Sequence, residues 1–170
     1  MTHVFHRHTK AALPTIAGGD GCYLVDTNGK RYFDGSCGAA VSCLGHSNRA
    51  VADAIKTQVD HISFAHTGFF TSSPAEELAD YLIERAPDGI DKVYFVSGGS
   101  EAMEAALKLA RQYFIETGEP KRHHVIARRQ SYHGNTLGAL ATGGNEWRRA
   151  QFADMLMEVS HIAPCYAYRE

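Results

Sequence analysis

Two short stretches carry residues whose types and spacing suit chemistry. The first, Ser97-Gly98-Gly99-Ser100-Glu101, follows an apolar run at 92–97 and opens a helical pattern at 101–115. A helix N-terminus leaves its first amides without intrahelical acceptors, and glycine lets a ligand approach the backbone closely. With the Ser100 hydroxyl as a further donor, Gly98, Gly99 and Ser100 make a small anion cup sized for a phosphate. The competing reading is a plain strand-to-helix turn. The stretch is not a Walker loop, because no lysine follows the glycines at the required spacing. Nor is it G-x-G-x-x-G, since Glu101-Ala102-Met103 stands where the third glycine should fall. The second stretch is Gln130-Ser131-Tyr132-His133-Gly134. Tyr132 offers a flat ring that suits stacking on a phosphorylated ring held in the cup; the alternative is a core aromatic beneath a loop. His133 is read either as a proton shuttle or as a hydrogen-bonded structural histidine.

The elements that must position these residues follow from periodicity. Residues 92–97 and 124–128 read as strands, with a third at 158–163. The helix at 101–115 has Ala102, Ala105, Ala106, Leu109, Ala110, Tyr113 and Phe114 as its apolar stripe. Glu101 and Glu104 suit its positive end, and Glu104 can pair with Lys108 at i,i+4. A weaker helix is expected at 136–141, and loop with a short helix at 145–153. A strand, a helix and a second strand imply a parallel, right-handed crossover. The loops after Ser97 and Arg128 then share the sheet edge at which open α/β sheets bind ligands. Arg128 and Arg129 end a strand there and suit a substrate carboxylate, against the alternative of solvent exposure or a surface ion pair.

Upstream, residues 1–12 read as a flexible, histidine-rich arm. His3, His6 and His8 have metal-binding spacing but nothing to fix their geometry, so they are read as part of a mobile terminus. Thr27-Asn28-Gly29 between two β-rich runs marks a hairpin, since Asn and Gly both tolerate positive φ. Residues 35–45 suit a close-packed loop or short strand. Residues 48–62 form an amphipathic helix with Val51, Ala54, Ile55, Val59 and Ile62 on one face and Ser47 or Asn48 as its cap. Ser73-Pro74-Ala75-Glu76 reads as a capping box with Pro74 at the first helical position, ahead of a buried face of Leu78, Tyr81 and Leu82. The expected divisions are 1–12, 13–72 and 73–170.

Composition narrows the function classes. The 170 residues carry 17 Lys+Arg and 19 Asp+Glu, a net charge of −2, which makes no electrostatic case for nucleic acid or an acidic membrane surface. No apolar run approaches the ~20 residues of a bilayer span, and the N-terminus lacks a secretory signal's apolar stretch. Cys22, Cys37, Cys43 and Cys165 show no CxxC spacing, so no structural metal is expected and reduced thiols in a cytoplasm are the default.

The residues also carry a resemblance. Phe95-Val96-Ser97-Gly98-Gly99-Ser100-Glu101-Ala102 with Glu104 to Arg111 resembles the phosphate-cup strand and helix of class III pyridoxal-phosphate-dependent aminotransferases, a fold type I family. Tyr132-His133-Gly134 resembles their ring-stacking motif. The hairpin with Asp26, Gly29 and Asp34, Leu44-Gly45-His46, and Ala163 to Arg169 are similar to further stretches in the same order. The resemblance implies an α/β fold: an N-terminal hairpin and helix segment, then the first, incomplete part of a mostly parallel-sheet cofactor-binding domain. It implies pyridoxal 5'-phosphate as cofactor, its phosphate on the Gly99 and Ser100 amides and the Ser100 hydroxyl, with Gly98 and His133 beside it and Tyr132 against its ring. Many members carry a hydroxyl residue where this chain has Gly98. Residues 38–42 and 64–70 resemble substrate-facing parts, with small Ala39 and Ala40 in a zone that is often aromatic. The implied reaction moves an amino group from an amine or amino acid to a 2-oxo acid or aldehyde, in a homodimer.

That chemistry needs a Schiff-base lysine. Lys108 stands eight residues past Ser100, ~12 Å along a helix. Lys92 stands five before Ser97, ~16 Å along a strand. Lys10, Lys30, Lys56 and Lys121 lie in the arm, the hairpin, a remote helix and the wrong strand edge. The chain is therefore expected to be the N-terminal portion of a longer enzyme, inactive alone, with no catalytic residue of its own. The alternatives are a truncated non-catalytic paralogue that keeps the cup, or a nucleotide-binding α/β domain.

Overall fold

In the computed structural model, which describes residues 2–169, Asn28-Gly29 turns the chain between two antiparallel strands, β2 (Tyr23–Asp26) and β3 (Arg31–Phe33). Only Gly29 takes positive φ, +81°, and its N–H donates to the Asp26 carbonyl at 3.0 Å. A reverse turn closed by one left-handed residue thus replaces the expected pair of left-handed residues. Asp26 is buried, and its carboxylate accepts from the Asn28 amide (2.8 Å), the Lys30 amide (2.9 Å) and the Tyr32 hydroxyl (2.9 Å). β1 (Ile16–Asp20) pairs antiparallel with β2, giving the order β1-β2-β3. Its sequence, IAGGD, has little β propensity. Gly19 matters for approach instead: a Cβ there would overlap the His46 Cβ.

Residues 35–45 are neither a close-packed loop nor a strand. Cys37, Gly38, Ala39 and Ala40 all have positive φ, and form a left-handed turn, α1 (Cys37–Ala40). For a residue with a Cβ this conformation costs roughly 1–2 kcal/mol. One carboxylate offsets that cost. Asp34 accepts from the Gly38 amide and the Ser36 and Ser42 hydroxyls, each at 3.2 Å, and pairs with His46 Nε2 at 2.8 Å.

α2 (Arg49–His61) is capped by Asn48, whose side chain accepts from the Val51 amide at 3.2 Å. Ser47, the other candidate cap, accepts from the Gly21 amide. α3 (Ser73–Ile83) starts one residue earlier than its box implies. The Ser72 carbonyl accepts the first amides, those of Ala75 and Glu76, and the Glu76 carboxylate takes the Thr71 hydroxyl rather than closing a box with Ser73. Pro74 is tolerated there because first-turn amides need no intrahelical acceptor.

The chain divides into two compact units, Met1–Glu76 and Glu77–Glu170; Met1, in the expected arm, and Glu170 lie outside the described residues. Residues 2–12 contain no helix or strand. In the second unit, α4 (Gly99–Glu116), β4 (Ile126–Arg128), α5 (Leu137–Thr142), α6 (Glu146–Arg149), a 3₁₀ turn (Ala150–Met155) and β5 (Ser160–Ile162) follow in order. β4 and β5 pair in parallel, with Ala127 opposite His161. Residues 92–97, expected as a strand parallel to 124–128, run without a ladder partner among the described residues. An apolar β-rich run needs a neighbouring strand before it becomes a sheet, and β4 takes β5 instead.

The core of this unit is small: Ala139, Leu140 and Ala141 of α5 are its buried apolar residues. The α4 stripe, expected as a core face, is largely uncovered; Leu109 is 67% exposed and Tyr113 60%. α4 packs on α5, a helix one third its length, so most of its stripe has no cover among the described residues. Leu78, Tyr81 and Leu82 of α3 are likewise exposed rather than buried.

The hairpin should respond to acid. Burial pushes the Asp26 carboxyl up, but the Lys30 amide, the Tyr32 hydroxyl and the Asn28 amide outweigh it and leave it below its ordinary 3.8. The Gly38 amide, foremost, holds Asp34 below the same value, with His46, Ser42 and Ser36 adding to it against burial. Groups with lowered folded values stabilise fully above the unfolded value, and that contribution disappears as pH falls through the folded one. The Asn28 and Lys30 amide resonances are therefore expected to shift together with a midpoint below pH 3.8. A midpoint above it would refute the hydrogen-bonded arrangement.

Candidate functional site

The N-terminus of α4 leaves its first amides free. Gly98 is its cap, in extended conformation, and the Glu101 carboxylate reaches back to accept from the Ser97 amide at 2.8 Å. The intrahelical ladder starts with Ala102, whose amide donates to the Gly98 carbonyl at 2.9 Å. The amides of Gly99, Ser100 and Glu101 have no acceptor among the described residues. A Cβ added at Gly98 or Gly99 would meet nothing within 4 Å. The chain's own packing does not demand glycine at either position, so both keep open space beside free amides. That is the cradle a phosphate requires.

Gly134 is different. Its φ is +129°, and a Cβ there would come within 2.8 Å of the Ser100 Cα. The next residue locks the approach: Ser100 Oγ accepts from the Asn135 amide at 3.0 Å and donates to Asn135 Oδ1 at 3.3 Å. The two loops singled out in the sequence therefore meet, although residues 92–97 are not in the β4–β5 sheet. The Ser100 hydroxyl, read as a ligand donor, is engaged with Asn135; its amide remains free.

Between them lies a hollow of about 520 Å³. Gly99, Ser100, Met103 and Ala106 of α4 line one side, and Tyr132, His133 and Gly134 the other. Gly98 caps the helix at its rim. Tyr132 is 63% exposed, which excludes a core aromatic. The Arg148 guanidinium lies 5.2 Å from its ring centroid, a cation–π distance. His133 is exposed and makes no hydrogen bond among the described residues. No lysine lines the hollow. Arg128 is turned to the backbone beyond β5, where Nη1 donates to the Ala163 carbonyl at 3.3 Å. Neither Arg128 nor Arg129 lines this hollow.

Glu104 is the residue that sequence reasoning missed. In place of an ion pair with Lys108, its Oε1 accepts from the Gly138 amide at 2.9 Å and the Ala139 amide at 3.2 Å, at the start of α5. The Thr136 hydroxyl is the main cause of its carboxyl lying below the usual range, with the two amides and the Lys108 charge adding to it against burial. A cap-type run, Asn135-Thr136 before Leu137, was the available signal; its acceptor lies over thirty residues away in sequence.

A helix N-terminus with free amides is thus faced by an exposed aromatic from a second loop. The chain belongs to the aminotransferase class-III family, whose sequence model matches residues 4–169. It is 40% identical to an uncharacterized aminotransferase of Schizosaccharomyces pombe over 98% of this chain and 37% of that relative. It is 40% identical to the uncharacterized aminotransferase YodT of Bacillus subtilis over 94% of this chain and 36% of that one. The crystal structure of adenosylmethionine-8-amino-7-oxononanoate aminotransferase from Methanocaldococcus jannaschii superposes with a TM-score of 0.90 at 31% identity, over 96% of this chain and 39% of that chain. An omega transaminase from Pseudomonas jessenii, solved in complex with PMP, gives 0.90 at 29% identity over 100% and 38%. The chain thus spans under two-fifths of the length of these relatives.

Proposed function

We propose that the hollow between α4 and residues 132–134 is the phosphate and ring site for pyridoxal 5'-phosphate in an aminotransferase. The whole enzyme transfers an amino group from an amine or amino acid to a 2-oxo acid or aldehyde, as a cytoplasmic homodimer. The observation that carries the reading is the pairing of acceptor-free amides at Gly99 and Ser100 with an exposed Tyr132 ring from the facing loop. When bound, the cofactor supplies a carbonyl for the amine and a ring that accepts electrons. This chain's residues hold and orient it. The Gly99 and Ser100 amides, at the positive end of an 18-residue helix, bind the phosphate. Gly98 leaves room for it. Tyr132 covers one ring face and excludes water there, and His133 lines the hollow beside it. The amine nucleophile comes from a lysine outside this hollow.

The test is a calorimetric titration of the full chain with pyridoxal 5'-phosphate, pyridoxal and inorganic phosphate. The phosphate ester is expected to bind at least about tenfold more tightly than pyridoxal, a difference of ~1.4 kcal/mol, with phosphate competing. Borohydride is expected to fix no stoichiometric label on Lys108. Equal affinity for the two pyridoxal forms would overturn the cup, and a stoichiometric Lys108 adduct would overturn the placement of the lysines.

A further inference from the structure

We infer that Glu104 is a positioning residue: by holding the start of α5 it sets the Tyr132 ring at its working height over the α4 N-terminus. The inference rests on the reading of the hollow given above. Ser100 and Glu104 are one helical turn apart, and so share a face of α4. Ser100 engages Asn135, and Glu104 engages the Gly138 and Ala139 amides. Residues 134–139 are thereby latched to α4 at two points, close behind Tyr132 and His133. Gly138 is pressed against this carboxylate: a Cβ there would meet Glu104 Oε2 at 2.5 Å.

The latch ties the two halves of the site to one helix. The phosphate amides belong to α4 itself, whereas the ring-bearing loop is held from two sides: by Gly144, whose amide donates to the Ser131 carbonyl at 3.0 Å just before Tyr132, and by α4 through Ser100 and Glu104 just after it. Glu104 does not line the hollow, so it touches neither half of a ligand directly. Its carboxylate is the shared acceptor of two amides, Gly138 and Ala139, which lose it together if it is removed. Glutamine preserves the arrangement, since its carbonyl oxygen can accept both amides.

Four full-chain variants separate this role from a general loss of fold. Glu104→Ala is expected to leave inorganic phosphate binding within twofold of wild type, because the cup amides are on α4. It is expected to weaken pyridoxal 5'-phosphate binding about tenfold and to remove its induced circular dichroism. Glu104→Gln restores both. Tyr132→Ala shows the same tenfold loss, and Glu104→Ala with Tyr132→Ala together lose no more than either alone, since both remove one interaction. Hydrogen exchange at the Gly138 and Ala139 amides, read without ligand, is expected to accelerate at least tenfold in Glu104→Ala and to stay slow in Glu104→Gln. Additive losses in the double variant, a parallel loss of phosphate binding, or unchanged exchange in Glu104→Ala would overturn the inference. If the wild-type chain bound neither phosphate nor pyridoxal 5'-phosphate, the reading of the hollow would fail first, while the exchange experiment would still report on the latch.

Discussion

Gly134→Ala is expected to destabilise the second unit by about 3 kcal/mol and to weaken pyridoxal 5'-phosphate binding by more than tenfold. Two costs combine. The backbone sits at φ +129°, a region that a residue with a Cβ rarely adopts, at roughly 1–3 kcal/mol. The new methyl would also overlap Ser100 Oγ and lie 2.8 Å from the Ser100 Cα. The second of these is backbone within the first turn of α4, so no side-chain rotation relieves it. The loop must lift, breaking both Ser100–Asn135 hydrogen bonds and carrying Tyr132 away from the cup. Gly118→Ala is the matched control: φ there is +79°, but a Cβ meets nothing within 4 Å, so only the backbone cost remains. Urea unfolding of both variants separates the two contributions. A Gly134→Ala chain no less stable than Gly118→Ala would show that the two loops do not meet.

How much of this was legible in the sequence depends on how far each determinant lies from its residue. The Asn28-Gly29 turn, the Asn48 cap and the opening of α4 at the glycines are local, set within four residues, and periodicity or residue type finds them. The left-handed turn at Cys37–Ala40 was not legible, because nothing in Cys-Gly-Ala-Ala selects it. Asp34 selects it through donors up to twelve residues away, at His46. Residues 92–97 show the opposite failure. Their composition is that of a strand, but a strand is a property of pairs, and no described segment forms a ladder with them. The α4 stripe fails in the same way, since apolar spacing states which face seeks cover and not whether cover exists. In the site, the cup and the ring were each visible locally, yet their meeting rests on Gly134 against Ser100 and on Glu104 across to α5. The same Glu104 was read as an i,i+4 partner of Lys108, because the helix alone offers that partner. The α5 amides outcompete it: two backbone donors at fixed positions hold a carboxylate better than one flexible, exposed ammonium.

Gly99→Ala should separate stability from binding in the other direction. Glycine inside a helix costs roughly 0.5–1 kcal/mol relative to alanine through its greater freedom when unfolded. Gly99 is the first residue of α4, does not have positive φ, and a Cβ there meets no atom within 4 Å. The variant is therefore expected to be as stable as wild type, or more stable by a few tenths of a kcal/mol up to the full helical preference. If the open space beside the Gly99 and Ser100 amides is where the phosphate sits, the same methyl stands in its way. Binding of both inorganic phosphate and pyridoxal 5'-phosphate then falls at least about tenfold, ~1.4 kcal/mol. Pyridoxal, which has no phosphate to place, is expected to bind unchanged. A glycine retained for folding would give the reverse pattern, lower stability with binding intact. Thermal unfolding and three titrations on one variant thus decide whether that glycine serves the chain or the ligand.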